Sequence, residues 1–558
     1  MKYRVDIEAL STGYASGAFT PRDIINDIYD AIAEQGERPV WISLRTREDA
    51  LRKVADAPIG PLFGIPFAVK DNIDVAGLPT TCACPDFAYT PERSAYVVAL
   101  LETAGAIVIG KTNLDQFATG LVGTRSPYGI PKNTFNADYV SGGSSSGSAV
   151  AVANGLVSFA LGTDTAGSGR VPAAFNNIVG LKPTKGLISA RGVVPACRTL
   201  DTVSLFATTV SDAWRVFSVA SSFDPADSFA RQLSARQSGR AQYSELRIGI
   251  PAAPLEFFGD RASEALYVRS IERARTLGAT IVEIDFSAFA KAAALLYQGP
   301  WVAERLAAIR DFAGKKPDSI HEVVRGIITG ASKIAAADAF DGFYRLSSLA
   351  REAEREWEKM DILLLPTAPT IYTIADVLSD PIRYNSNLGL YTNFVNLMDL
   401  SALAVPAGLK DDGLPFGVTL IGRACEDRCL AEFGDRLHRM LANINLGASA
   451  HRLDATAALP AATSCRGTIQ LAVVGAHLSG QPLNSQLIER NARLLRTAKT
   501  APGYSFYALA DATPAKPGLI FDDLGAGCIE VEIWEMDVTA FGSFVALIPA
   551  PLGIGTLM

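Results

Sequence analysis

Apolar residues near the N-terminus recur at the spacing of an α-helix. After Thr20 and Pro21, the apolar positions are Ile24, Ile25, Ile28 and Ile32. Residues three or four apart lie on one face of a helix, so this spacing predicts an amphipathic helix. Thr20 suits the N-cap and Pro21 the first helical position, because an N–H there would have no partner within the helix. A further helix is predicted near residues 96–104.

Short unbroken apolar runs alternate with the helical stretches and predict buried strands. These runs occupy residues 106–110, 247–250, 280–284, 361–365, 401–407 and 416–421. Another run, within residues 58–73, ends at Lys70, which predicts a buried strand that delivers this lysine to a turn. The alternation of helices and strands favours a layered α/β fold in which helices cover a central sheet.

The composition changes near residue 445, where a stretch rich in Ala, Thr, Leu and Ser begins without a clear period. We therefore predict one α/β unit over residues 1–445, a linker over 446–466 and a small α+β domain over 467–558. Within the small domain, the pattern predicts strands at 468–474, 529–534 and 544–548 and a helix at 487–497.

Charge and hydropathy exclude several classes of protein. With 51 Lys and Arg against 58 Asp and Glu, the net charge is -7, and no long basic run occurs, which disfavours a nucleic-acid partner. The N-terminus lacks an apolar core, and the most apolar window, residues 149–161, is short, so neither secretion nor membrane insertion is predicted. The seven scattered cysteines favour a reducing cytoplasm, and their spacing predicts no metal site.

Two segments rich in glycine and serine, residues 141–148 and 162–172, flank the apolar stretch 149–161, which we predict to be a buried helix. Glycine permits backbone conformations that other residues avoid and lets main-chain N–H groups approach a ligand. A phosphate-binding loop would need a Gly-Lys-Ser/Thr ending, which is absent. A flexible linker fits poorly beside a buried helix, so a serine nucleophile is the favoured interpretation.

A serine nucleophile requires a base, and the histidines offer none near these two segments. They are His321, His438, His451 and His477, and no motif connects any of them to the serines. Lys70 is the candidate base, because burial lowers the pKa of a lysine until its neutral amine can accept a proton.

Three motifs occur in order along the chain: Ala68-Val69-Lys70-Asp71-Asn72, Gly142-Gly143-Ser144-Ser145-Ser146-Gly147 and residues 162–172. Together they resemble the amidase signature family, which implies a mixed β-sheet core covered by helices. The resemblance implies a Ser-cisSer-Lys triad with Ser168 as nucleophile, Ser144 as the bridging group after a cis peptide and Lys70 as base. It implies an oxyanion hole of main-chain N–H groups from Thr165, Ala166, Gly167 and Ser168. No metal or organic cofactor is implied, and Arg170 is expected to brace the loop.

Within that family, residues 117–129, 176–184 and 297–305 resemble the allophanate hydrolases. This likeness implies hydrolysis of allophanate, a urea that carries a carboxylate, with release of ammonia. It places Gly120, Tyr297 and Arg305 at this small anionic amide, where a planar guanidinium suits the carboxylate. Malonamate and biuret remain alternative substrates. A binding subunit of an assembly remains the alternative to an enzyme.

Residues 473–484 resemble the cyclotransferase-like C-terminal domain of allophanate hydrolases. In the family this domain is associated with decarboxylation of the N-carboxycarbamate product, and His477 is the matching histidine. The likeness also implies a homodimer and a metabolic link to a biotin-dependent urea carboxylase or to triazine-ring breakdown. Because the chain stops soon after a predicted strand, we expect this domain to be shortened.

Overall fold

The computed structural model describes residues 2–36, 39–232, 246–441, 445–453, 459, 468–490, 492–509, 517–521, 527–548 and 552–555. They form a large unit within residues 1–459 and a small unit within residues 460–558. No helix among the described residues is long and apolar enough to cross a membrane.

The strands of the large unit are β1 (Trp41–Leu44), β2 (Pro66–Lys70), β3 (Ile107–Thr112), β4 (Phe159–Asp164), β5 (Val179–Lys182), β6 (Thr202–Ala207), β7 (Arg247–Pro251), β8 (Thr280–Ile284), β9 (Ile362–Pro366), β10 (Ser401–Leu409) and β11 (Pro415–Gly422). Those of the small unit are β12 (Thr468–Val473), β13 (Arg493–Lys499), β14 (Tyr504–Ala508), β15 (Pro517–Phe521) and β16 (Glu530–Asp537).

The helices of the large unit are α1 (Ile7–Ser16), α2 (Pro21–Gln35), α3 (Arg47–Ala55), α4 (Tyr96–Thr103), α5 (Ser146–Ala153), α6 (Val171–Phe175), α7 (Val210–Ala220), α8 (Arg261–Thr276), α9 (Ser287–Gln298), α10 (Trp301–Lys315), α11 (Glu322–Gly330), α12 (Ala336–Trp357), α13 (Ile374–Ser379), α14 (Arg383–Leu388), α15 (Phe394–Leu397) and α16 (Asp427–Arg439). Those of the small unit are α17 (Ser485–Ile488) and α18 (Val538–Val545).

Within the described residues, the large unit is built on an eleven-stranded sheet in the order β1-β3-β2-β4-β6-β5-β10-β11-β9-β7-β8. β2 pairs parallel with β3 and β4, and β7 pairs parallel with β8 and β9, whereas the remaining neighbours are antiparallel. The predicted mixed sheet covered by helices is therefore confirmed, and each strand predicted from an apolar run in this unit is present. Because parallel strands end at the same edge of a sheet, β2 and β4 deliver Lys70 and Asp164 to one place.

The predicted N-terminal helix is present as α2, and its first turn has the predicted cap. Thr20 Oγ1 accepts a hydrogen bond from the Asp23 N–H at 3.3 Å, and the Asp23 carboxylate accepts the Thr20 N–H at 2.8 Å. This reciprocal cap satisfies two donors that the helix itself leaves unpaired. Pro21 is the first helical residue, and Ile24 and Ile28 are fully buried in the core.

The prediction of one helix over residues 149–161 is wrong, although the whole stretch is largely buried. The helix, α5, ends at Ala153, and β4 begins at Phe159. Gly155 adopts a φ of 69°, a left-handed conformation that glycine tolerates without strain and that reverses the chain after the helix. An unbroken apolar run has no period of its own, so a buried helix and a buried strand could not be separated by pattern.

Two predictions in the small unit are also wrong. The helix expected at residues 487–497 is only α17, which ends at Ile488, and Arg493–Lys499 forms strand β13 paired with β16. The strand expected at residues 544–548 is not formed. Residues 544 and 545 are the end of helix α18, and Phe544 packs in a buried cluster with Trp534 and Leu471. The secondary structure of both segments depends on contacts with residues distant in the sequence, and the local sequence pattern carries no information about such contacts.

The predicted linker, residues 446–466, lies mostly outside the described residues. Its described beginning packs against the large unit: Leu446 and Leu453 are buried, and the Asn177 side-chain amide donates to the carbonyl of Gly447 at 3.1 Å. The chain therefore still belongs to the large unit at residue 453.

We predict that Gly180→Ala destabilises the large unit by about 1–3 kcal/mol, because an added methyl group would overpack a filled site. A Cβ at Gly180, in β5, would collide with the carbonyl oxygen of Gly169, in the loop after β4. Gly314→Ala is the control, since a Cβ there meets open space and should stabilise α10 by about 0.5–1 kcal/mol. Denaturant unfolding measures both, and equal midpoints for the two variants would contradict the prediction.

Candidate active site

Lys70, the last residue of β2, lies fully buried among three hydroxyl groups. Its Nζ is 2.7 Å from Ser144 Oγ, 2.8 Å from Thr163 Oγ1 and 3.0 Å from Ser145 Oγ. Burial lowers the pKa of Lys70 to about 7, against the opposing charges of Asp115 and more distant aspartates. In its neutral form the amine has one lone pair, which can accept a hydrogen bond from one of these hydroxyls, and Ser144 Oγ is the nearest.

Ser144 is held in place by its backbone on both sides. The Gly143–Ser144 peptide is cis, as the family resemblance implied. The Ser144 carbonyl accepts the Asp115 N–H at 3.1 Å, and α5 begins two residues later at Ser146. The serine therefore sits between a fixed loop and the first turn of a buried helix, with its side chain on Lys70.

Ser168 lies in the loop between β4 and α6 and is 2% exposed. Its Oγ donates to the carbonyl of Gly120 at 3.4 Å, and within the described chain no hydrogen bond joins it to Ser144. The structure thus forms the lysine–serine half of the predicted triad, and a rotation of the Ser168 side chain would be needed to complete it.

A buried ion pair shapes the loop that carries Ser168. Arg170 Nε and Nη2 donate to the two oxygens of Asp164 at 2.8 and 2.9 Å, and both side chains are fully buried. Although burial alone would raise it, the pKa of Asp164 lies below its ordinary value because of the Arg170 guanidinium. Asp164 also accepts the N–H groups of Gly167 and Gly169 at 2.9 and 3.1 Å. Arg170 therefore braces the loop, as expected from the sequence.

The predicted oxyanion donors lie on this same loop. Thr165 Oγ1 donates to Asp201 Oδ1 at 2.5 Å, which holds the first residue of the loop independently of Asp164. Gly167 has a φ of 138°, and its N–H is already shared with Asp164. The backbone is thus held from two sides before any ligand binds.

The three residues predicted to bind substrate come together around Thr119. Arg305, 2% exposed on α10, donates from Nη1 to Thr119 Oγ1 at 3.0 Å, and its guanidinium carbon lies 5.6 Å from the centre of the Tyr297 ring. Gly120, the next residue along, accepts the Ser168 hydrogen bond. The structure therefore connects the buried arginine to the serine through two consecutive residues.

His477 lies in the small unit and is half-buried. Its Nε2 lies 3.1 Å from Gln486 Oε1, and its ring packs edge to face on Phe544 at 5.2 Å. These contacts fit a structural role, and its catalytic assignment remains a prediction.

Four residues of the site were not predicted from the sequence. Ser145 and Thr163 contact Lys70, Asp201 contacts Thr165, and Arg125 contacts Thr119. Ser145 and Thr163 belong to the two glycine–serine segments, and Arg125 lies in the segment that contains Gly120. Their motifs were recognised, but only the fold shows which members face Lys70 or Thr119. Asp201 lies in none of these motifs, and no sequence signal indicated it. Among the described residues, no group of His, Cys, Asp and Glu is arranged to hold a metal ion.

Comparison with known proteins places both units. Residues 42–430 match the amidase family, and residues 469–558 match the allophanate hydrolase C-terminal domain. The chain is 43% identical to an allophanate hydrolase of Kluyveromyces lactis, with a TM-score of 0.83 that covers 99% of this chain and 93% of the other.

Two longer proteins match over nearly the whole of this chain. The urea amidolyase of K. lactis is 43% identical with a TM-score of 0.84, and the match covers 100% of this chain and 34% of that protein. A urea amidolyase of Saccharomyces cerevisiae is 45% identical over 535 residues, which are 93% of this chain and 29% of that protein. The chain therefore spans about a third of the length of these urea amidolyases.

We predict that Arg170→Gln destabilises the large unit by about 3–5 kcal/mol, because the substitution leaves a buried carboxylate without its cation. Arg247→Gln, which removes an arginine paired with Asp361 at the surface, should cost only about 0–1 kcal/mol. Denaturant unfolding of both variants checks this, and a loss for Arg170→Gln no larger than for Arg247→Gln would refute the bracing role.

Proposed function

The chain belongs to the amidase family, and from this membership we propose that it hydrolyses allophanate and releases ammonia. The observation that carries the proposal is the contact of buried Lys70 with Ser144, on a loop adjoining the one that presents Ser168. The match to an allophanate hydrolase over 93% of that protein supports the substrate. The buried guanidinium of Arg305 near Ser168 supports an anionic amide.

In the mechanism we propose, Ser168 Oγ attacks the amide carbonyl after its side chain turns from Gly120 toward Ser144. Ser144 takes the proton of Ser168 and passes its own proton to the neutral amine of Lys70. The tetrahedral intermediate collapses as the same relay, run in reverse, protonates the leaving nitrogen, and ammonia departs. Water then attacks the Ser168 ester by the same proton path and releases N-carboxycarbamate.

The oxyanion of the tetrahedral intermediate would be met by backbone N–H groups of Thr165, Ala166 and Ser168. The N–H of Gly167 was also predicted for this role, and it is shared with Asp164. Donors that are already oriented cost no reorganisation when charge develops, and each contributes about 3 kcal/mol to lowering the barrier. The ion pair of Asp164 with Arg170 supports this role because it holds the same loop.

The substrate carboxylate would lie at Arg305, with Tyr297 beside it and Gly120 facing the reacting carbonyl. A guanidinium can donate two parallel hydrogen bonds to a carboxylate, which fixes the orientation of a small planar molecule. This places the amide nitrogen of allophanate away from the arginine, so ammonia leaves from the end opposite to the carboxylate.

For the small unit, we retain decarboxylation of N-carboxycarbamate with His477 as the candidate residue. The match of residues 469–558 to the allophanate hydrolase C-terminal domain supports the domain assignment but not the residue. We propose that a urea carboxylase supplies the allophanate. This proposal is supported by the match to urea amidolyases, proteins whose additional length could provide that activity. The homodimer and the cytoplasmic location remain predictions.

We predict that Ser168→Ala lowers ammonia release from allophanate by about a thousandfold or more, because the nucleophile is lost. Allophanate should also be the preferred substrate in a panel with biuret and malonamate. Ser158→Ala is the matched control, since Ser158 is a buried serine whose Oγ has no hydrogen-bond partner among the residues that the structure describes, and this variant should keep wild-type activity. Turnover of allophanate by Ser168→Ala within about tenfold of wild type would contradict the mechanism, and preference for another amide would contradict the substrate.

The pH dependence of kcat/KM should report the titration of Lys70. Below about pH 7 the amine is protonated and cannot accept the proton of Ser144, so activity should fall as the pH falls and reach a plateau above it. Lys70→Arg, which stays protonated at every pH used, should be inactive throughout. A wild-type profile that stays flat through pH 7 would contradict the assignment of Lys70 as base.

A further inference from the structure

A second buried guanidinium, that of Arg125, lies beside the predicted substrate site. Arg125 is 1% exposed, and its Nη1 and Nη2 donate to the carbonyls of Thr119 and Pro381 at 2.9 and 2.7 Å. Arg305 donates to the hydroxyl of the same threonine. Two cations therefore converge on the residue that precedes Gly120.

The side-chain hydrogen bonds that the structure describes for these two arginines all go to uncharged oxygens. The acceptors are Ala118 O, Thr119 O, Thr119 Oγ1 and Pro381 O. Nε of each guanidinium is buried and has no partner in the described chain. Neither side chain is therefore neutralised by an ion pair there.

The carboxylate whose charge acts on Arg125 is that of Asp115, and it is hydrogen-bonded elsewhere. Asp115 accepts the backbone N–H groups of Val122, Gly123 and Arg125 at 3.2, 3.0 and 3.0 Å. The Asp115 carboxylate attracts the Arg125 guanidinium, but the structure describes no ion pair between these two side chains. Burying a charge without a partner is costly, so an excess of positive charge in this place favours the binding of an anion.

A cavity of about 580 Å³ is lined in part by Arg125. Its wall includes Thr124, Arg125, His321, Glu322, Pro381 and Ile382. Arg125 thus lines this cavity and also donates to the carbonyl of Thr119. The hydroxyl of the same threonine accepts from Arg305, the residue predicted to bind the substrate carboxylate.

We propose that Arg125 is a specificity-determining residue that, with Arg305, selects amides carrying a carboxylate over neutral amides of the same shape. The proposal rests on the proposed function, because it concerns the same site and names what sets its substrate class. Arg125 acts through the electrostatic potential it adds at the site and does not take part in proton transfer. A guanidinium suits this role, since it stays protonated when buried.

The test compares pairs of amides that differ only in charge: allophanate with biuret, and malonamate with malonamide. In each pair a carboxylate is replaced by a carboxamide, so shape is nearly constant while the negative charge is lost. The quantity measured is kcat/KM for each member, in wild type and in Arg125→Gln. We expect kcat/KM for the anionic member to fall by about tenfold or more relative to the neutral member, mainly through KM.

Two further variants separate charge from structure. Arg325→Gln removes the same charge from α11, where Arg325 pairs with Asp318 and does not line the cavity, and should leave the ratio unchanged. Arg125→Lys cannot bridge the carbonyls of Thr119 and Pro381, and burial would lower the pKa of the new lysine, so this variant is compared with wild type at about pH 6, where a lysine buried like Lys70 is still mostly protonated. At that pH it should keep the ratio within about threefold of wild type. If Arg125→Gln fails to fold, Arg125→Lys decides alone.

An equal loss for both members of a pair in Arg125→Gln, or a lost ratio in Arg125→Lys, would overturn the proposal and leave Arg125 with a structural role. Failure of the proposed function has a different signature, since wild type would then turn over malonamate but not allophanate. The malonamate pair would still measure the contribution of Arg125.

Discussion

The removal of one lysine amine from water is the constraint on which the site depends. Lys70 lies at the end of a strand whose residues are all buried, and its amine meets three hydroxyls rather than a carboxylate. An adjacent carboxylate would hold the amine in its charged form, whereas hydroxyls stabilise either form and leave desolvation to lower the pKa. The parallel pairing of β2 with β4 provides this geometry, because it brings Thr163 to the same edge of the sheet.

A neighbouring lysine, Lys111, is buried in the same way but has a carboxylate as its partner. Lys111 is equally buried on β3, but its Nζ forms an ion pair with Asp71 at 2.9 Å and bonds to Thr80 Oγ1. Asp71 directly follows Lys70, so the two strands place one carboxylate against Lys111 and leave Lys70 without one. Two lysines on adjacent strands thereby acquire different chemistry from the way the strand ends are arranged.

Sequence reasoning identified the parts of the site better than their arrangement. Lys70, Ser144 and Ser168 were predicted from the resemblance of three ordered motifs to the amidase signature family, and the structure brings Lys70 and Ser144 into contact. Arg305 was predicted from the resemblance to the allophanate hydrolases. Strands β2, β3 and β7 to β11 followed from short apolar runs, whereas β1, β4, β5 and β6 were not predicted. The helix predicted at residues 149–161 was wrong because a largely apolar stretch lacks a period. The helix predicted at residues 487–497 was wrong because strand β13 is stabilised by β16, a partner distant in the sequence. The hydrogen bond of Ser168 to Gly120 also had no local signal, since it joins loops 48 residues apart.

Desolvation has opposite consequences for the two kinds of cation in this site, and the difference explains why both are needed. The ordinary pKa of lysine is low enough for burial to bring it to about 7, so Lys70 can exchange a proton with a serine at neutral pH. The ordinary pKa of arginine is far higher than that of lysine, so the same burial leaves Arg125 and Arg305 as protonated, fixed charges with little water to screen them. In the proposed function, a lysine in place of Arg305 would undergo the same lowering of its pKa as Lys70 and would bind an anion less well as it lost its proton. The proposed roles therefore assign proton transfer to a lysine and substrate recognition to arginines within one buried site.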